Sequence, residues 1–166
     1  MGVDIATPEA GSTTGGLTRN ATFQDGKRFV LIERESGKVL AAIGQDAVLQ
    51  ACDDMSALPS IWHCHWDCDI TRGWVTLRNR VTQNYLGGSY HGSLRVASCN
   101  ARRESEGWFT GHLVVTRSSG GGQTLSAPFA MGIEQIVHDA GRNASGKLEL
   151  GTTKGLEWEF VRLESQ

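Results

Sequence analysis

At 166 residues, with 39% apolar and 20% charged side chains, the chain is long enough for one domain with a sizeable core. A formal net charge of −2 gives bulk electrostatics no pull toward nucleic acid or an anionic membrane, and no apolar run approaches the ~20 residues of a spanning helix. Twenty-one glycines against three prolines imply many tight turns.

Met1 to Gly16 is small and polar, with no basic stretch leading into an apolar one. Residues 1–24 therefore read as a flexible segment ahead of one domain over 25–166, in a cytoplasmic protein. From Arg28 a pattern of short strands begins. Phe29-Val30-Leu31-Ile32-Glu33 leads into Glu35-Ser36-Gly37-Lys38, hairpin chemistry in which glycine accepts positive φ, and then into Val39-Leu40. Val48-Leu49-Gln50-Ala51 follows, and Trp62 to Asp69 closes the run. In that closing stretch Trp62, Cys64, Trp66 and Cys68 alternate with His63, His65, Asp67 and Asp69. A period of two is expected of a strand with one face in a core and the other in water.

After a turn at Arg72-Gly73 the pattern repeats: Trp74-Val75-Thr76-Leu77-Arg78, Asn84-Tyr85-Leu86, Ser93-Leu94-Arg95-Val96 and Trp108-Phe109, with Gly87-Gly88-Ser89 as a further hairpin turn. A mixed-charge stretch, Arg102-Arg103-Glu104 with Glu106, reads as a solvated loop. The third copy is fainter. Beyond a turn at Gly120-Gly121-Gly122 it runs through Thr124-Leu125-Ser126, Ile133 to Ile136, Lys147 to Leu150 and Trp158 to Val161. The units span about 28–70, 71–118 and 119–163, and their closing tryptophans lie 46 and 50 residues apart. Sustained helical periodicity is absent; the nearest candidates, Ala47–Met55 and Met131–Ala140, are short. Four strands in each of three units predict an all-β chain of twelve strands, a β-trefoil in which six strands close a barrel and six cap it as hairpins. Trp62, Trp108 and Trp158, with Leu49, Leu94 and Leu148, are expected to form its symmetric core layers.

The second unit, from Gly73-Trp74-Val75-Thr76-Leu77-Arg78-Asn79 through Tyr85-Leu86-Gly87 to Gly92-Ser93-Leu94, resembles the fascin-type (actin-crosslinking) trefoil repeat. With Trp62-His63-Cys64 before it and Trp158-Glu159-Phe160-Val161 near the end, the chain is still more similar to small fascin-like trefoil proteins of filamentous fungi. The likeness is specific over about 62–96 and 156–163; residues 121–138 lack the repeat's Leu-Arg and Tyr-Leu. It implies a trefoil fold and places Tyr85 in the core.

Four cysteines, Cys52, Cys64, Cys68 and Cys99, admit two readings. His63-Cys64-His65 followed by Cys68 is dense in zinc-ligand types, but alternation sends both histidines away from both thiols. Buried free thiols, with no metal and no cofactor, are preferred. Phosphate-loop, dinucleotide and nucleophile-elbow motifs are absent. His63, His65 and Asp67, beside Asp69, form the best acid/base cluster, with His91 as a further candidate, although a solvated strand face looks the same. Asn84, Tyr90 and His91 suit hydrogen bonding and stacking against a sugar or flat organic ligand. The expected function is a non-catalytic module recognising a carbohydrate, a protein (cytoskeletal included) or a small organic ligand, as a monomer or weak dimer, without nucleic acid or membrane. The chain has no Gln-x-Trp, so ordinary ricin-type sugar binding is not expected. The alternative is a small cofactor-independent isomerase or cyclase acting on a fungal secondary metabolite.

Overall fold

A computed structural model describes residues 13–89, 94–97, 101–104, 107–129, 132–138, 148–151 and 156–164. In chain order its strands are β1 (Thr13–Thr14), β2 (Leu17–Thr18), β3 (Arg28–Glu33), β4 (Val39–Ile43), β5 (Asp46–Gln50), β6 (Trp66–Thr71), β7 (Trp74–Asn79) and β8 (Tyr85–Ser89). They continue as β9 (Leu94–Ala97), β10 (Ala101–Glu104), β11 (Gly107–Thr110), β12 (Val114–Arg117), β13 (Gln123–Phe129), β14 (Gly132–His138), β15 (Leu148–Gly151) and β16 (Trp158–Leu163). Two short 3-10 helices, Met55–Ser60 and Trp62–Cys64, lie between β5 and β6. Both stretches nearest to helical periodicity contain strands instead, β5 and β14.

Six strands close a ring. β3 pairs with β6, β6 with β7, and β7 reaches the third wall through the bridge Val75↔Leu113 just ahead of β12. β12 then pairs with β13, β13 with β16, and β16 with β3 over six residue pairs from Trp158↔Glu33 to Leu163↔Arg28. Each of these six strands thereby has a partner on both sides, the closure that removes sheet edges in a barrel. The hairpins β4–β5, β8–β9 and β14–β15 supply the capping pairs, one per unit. The threefold reading holds, including the faint third unit.

The core follows from alternation on those strands. Phe29, Leu31, Trp66, Cys68, Leu77, Leu113, Leu125, Trp158 and Phe160 point inward and meet in one cluster with Leu40, Leu49, Leu86 and Leu148. β3 is buried on its other face too, where Val30 and Ile32 join Val39, Leu58, Cys64 and Val161 beneath the two 3-10 helices. That double burial explains the unbroken apolar run Phe29 to Ile32.

Turns carry the sequence signals expected of them: Gly37, Gly73 and Gly121 take φ of 70°, 83° and 85°. Buried polar residues at the ends of two barrel strands hold the next turn. Glu33 accepts from the backbone N–H of Glu35 and Ser36, and Asn79 Oδ1 accepts from those of Val81 and Thr82.

Several expectations need correction. Trp62 is 53% exposed, and the indole that fills the first unit's core is Trp66, fully buried with Nε1 donating to Leu40 O at 3.1 Å. The second unit closes on β12, not at Trp108-Phe109, which lies in β11 of an extra hairpin with β10. That hairpin also takes up Arg102 to Glu104, read from sequence as a loop, and Gly87 to Ser89 belongs to β8 rather than to a turn. The side chains of Trp108 and Leu94 lie outside the described residues. Within the expected lead-in, residues 13–24 carry β1 and β2, and Phe23 stacks on Phe160 at 3.9 Å between centroids, while residues 1–12 lie outside the described residues. β2 pairs with β16 through Arg162↔Thr18 and Leu163↔Leu17.

Candidate functional site

The acid/base cluster read from the sequence is dispersed by a local change of conformation. Residues 62–64 form a 3-10 turn, so the period of two begins only at Trp66. Rotation through that turn carries Trp62 out and His65 in, where its side chain is buried. His63 Nε2 lies 2.7 Å from Gln50 Oε1. Asp67 faces Arg28, accepting from Nε at 2.6 Å and Nη2 at 3.1 Å. Asp69 stands beside Asp25, whose Oδ1 accepts the Ile70 N–H at 2.8 Å. That backbone donor holds the Asp25 carboxyl below the usual range, while Asp25 pushes Asp69 above it. His63, His65, Asp67 and Asp69 therefore serve separate contacts.

The thiols are equally separated. Cys68 belongs to the barrel core and Cys64 to the second apolar cluster, and burial pushes each up to about 12. Both are inert protonated thiols at neutral pH. Among the described residues, no group of three His, Cys, Asp or Glu is placed to hold a metal ion.

What the fold does assemble is an open cleft of about 730 Å3 beside the first unit. Five segments of the sequence line it: the Gly15-Gly16 turn, Gly26 to Arg28, the stretch that supplies Pro59, Ser60, Trp62, His65 and Asp67, Arg80, and Leu163-Glu164 where β16 ends. Trp62 forms a ledge in it, with the Arg80 guanidinium 4.2 Å from the indole centroid. Asn79 holds that ledge in place, since its Nδ2 donates to His63 O at 2.8 Å and the Arg80 N–H donates to His65 O at 2.9 Å.

His65 forms the back of the cleft. Its Nε2 lies 2.6 Å from Leu58 O, an acceptor only, so the proton sits on Nε2 and the Nδ1 lone pair faces Arg80 Nη1 at 3.5 Å. Burial, aided by the neighbouring Arg80 and Arg28, depresses its pKa below the ordinary histidine value. At the cleft's other end Glu164 accepts from Thr18 Oγ1 at 2.6 Å and from Arg162 Nε at 2.8 Å, which keeps its carboxyl ionised to lower pH than usual.

Of the ligand-binding residues expected from sequence, Asn84 is half-buried in the turn after β7, where its O accepts the Asn79 N–H at 2.8 Å. Tyr90 and His91 lie outside the described residues. Tyr85 is half-buried, with Arg78 5.7 Å over its ring. Trp62 and Arg80, which build the cleft, were not singled out by alternation: it assigned Trp62 to the core, and Arg80 carried no motif. The available signal was Ala57-Leu58-Pro59-Ser60, a proline-bearing segment unsuited to a strand, just before Trp62.

No family model matches the sequence, and neither does any curated protein. Solved structures do match in shape. The Macrolepiota procera ricin B-like lectin in complex with lactose superposes with a TM-score of 0.61 at 14% identity, over 87% of this chain and 100% of that one. A designed 3-fold symmetric protein, ThreeFoil, matches at 0.55 and 14% identity, over 82% of this chain and 99% of its own. With the closed six-stranded ring and its three capping hairpins, that likeness decides the architecture. The fold is a β-trefoil. The Rhizoctonia solani agglutinin is a further trefoil neighbour, with a TM-score of 0.54 and 14% identity over 86% of this chain and 99% of that one. At such identities the likeness speaks for the trefoil and not for its ligand.

Proposed function

We propose that this trefoil is a non-catalytic, cytoplasmic carbohydrate-binding module whose site is the cleft at Trp62. One observation carries the reading: a half-exposed indole, braced by Arg80, stands in an open cleft beside the paired Arg28 and Asp67. A pyranose has an apolar C–H face and a rim of hydroxyls. The free surface of an indole suits the first, and a charged donor next to a charged acceptor suits the second. The several trefoil neighbours that are lectins support this reading at the level of fold. The absence of Gln-x-Trp agrees with a site built differently from the ricin type.

The isomerase alternative has less in its favour. Both His65 ring nitrogens are engaged, and the cleft is open to water rather than deep and apolar.

The test is a glycan array probed with the full chain and with Trp62→Ala. Saccharide capture by the parent and at least a ~10-fold loss in the variant is the expected result, because a buried aromatic contact is worth ~1–3 kcal/mol. The fascin-type likeness implies an actin partner instead. Co-sedimentation with filaments, together with an array on which no saccharide is captured, would replace the carbohydrate reading.

A further inference from the structure

We infer that the saccharide this cleft takes is anionic, with its carboxylate or sulfate group held by Arg80. This rests on the carbohydrate reading above and adds the charge of the ligand.

The cleft is a local exception to an acidic chain. Three cations line it, Lys27, Arg28 and Arg80, against the carboxylates of Asp67 and Glu164, with His65 held neutral. The two carboxylates are already engaged: Asp67 by both arms of Arg28, and Glu164 by Arg162 at 2.7 Å. Lys27 is close enough to lower the Glu164 pKa. Arg80 has no carboxylate partner among the described residues.

Its geometry is that of an oriented donor. The Arg80 guanidinium carbon sits 4.2 Å over the Trp62 ring, and among the described residues one of its five N–H groups is directed at protein, toward His65 Nδ1 at 3.5 Å. The free edge matches the two oxygens of a carboxylate or sulfate in a fork that lysine cannot reproduce. His65 sets this up. Because Leu58 O fixes its proton on Nε2, the ring presents a lone pair to Arg80 and does not repel it. Carboxylated and sulfated sugars share the chemistry that Arg80 would recognise.

The experiment uses the full chain on an array of matched neutral, carboxylated and sulfated saccharides, with inorganic sulfate as a competitor. The expected result is a preference of ~10-fold or more for one anionic series over its neutral parent, falling as salt is raised. Arg80→Gln should abolish that preference, read as the ratio of anionic to neutral capture, and Arg80→Lys should restore only part of it. The two anionic series separate carboxylate from sulfate. Suppression by inorganic sulfate at equal concentration would show that the anion alone is bound, overturning a saccharide ligand. Equal capture of neutral and anionic series, or a preference that survives Arg80→Gln, overturns the inference. In that case neutral capture lost in Trp62→Ala leaves the carbohydrate reading standing. An array on which nothing is captured removes both.

Discussion

Two tryptophans on equivalent closing strands of the barrel are equally buried and differently bonded. Trp66 Nε1 donates to Leu40 O, whereas Trp158 Nε1 has no partner among the described residues. Replacing Trp66 by Phe removes packing and the hydrogen bond to Leu40 O, the latter adding ~0.5–1.5 kcal/mol to the cost. Replacing Trp158 by Phe removes a donor that was already unsatisfied. Denaturant midpoints are therefore expected to fall further for Trp66→Phe than for Trp158→Phe; equal losses would contradict these assignments. His65 supplies a second prediction at this scale. Its folded pKa lies below the ordinary value of 6.5, so the unfolded chain binds the proton more readily. The associated stability is complete above pH 6.5 and is lost as pH falls toward the lower folded value. Thermal melts should show Tm declining through that window, and His65→Gln should flatten the decline.

Between residue and fold, the element that matters is the 3-10 segment from Met55 to Cys64. It starts on Asp54, whose side chain accepts the Ser56 N–H at 2.9 Å, and it ends where His65 turns inward. Asn79 fastens it to β7 and simultaneously caps the turn that follows β7. Asn79→Asp keeps the acceptor for the Val81 and Thr82 amides but loses the donor to His63 O. Asn79→Ala loses both and is expected to cost ~1–3 kcal/mol. Saccharide capture and stability should fall in both variants, because the aspartate would set a buried carboxylate oxygen against His63 O. The turn between β12 and β13 is a tighter element. A Cβ on Gly122 would stand 2.8 Å from Arg34 Nη1 and 2.9 Å from Glu157 Cβ, where Arg34 and Glu157 are joined at 3.6 Å. Gly122→Ala should therefore destabilise by ~1–3 kcal/mol, seen as a lowered urea midpoint.

The whole molecule is held by a ring that closes late in the chain. β16 pairs with β3 along its full length, and Phe160 and Trp158 enter the same core as Phe29 and Trp66. Phe160→Ala is expected to cost ~3–5 kcal/mol and to lower the unfolding transition of the entire barrel, read alike by circular dichroism and tryptophan fluorescence. Two separate transitions would show that the units unfold independently. Most barrel strands, the turns at Gly37, Gly73 and Gly121 and the count of three units were legible in the sequence because each depends on local chemistry: alternation along a strand, or positive φ at one residue. The closing strand of the second unit was not, since a tryptophan in a short apolar run looks the same in a capping hairpin and in a barrel wall. Local pattern also determined that Cys64 and Cys68 are buried. Only the tertiary structure decided that they lie in different clusters, that Trp62 faces solvent while His65 does not, and that Arg80 reaches them both. A 3-10 turn shifts the phase of a strand by an amount that alternation cannot reveal, and a cleft made of five separate segments exists only once the ring has closed.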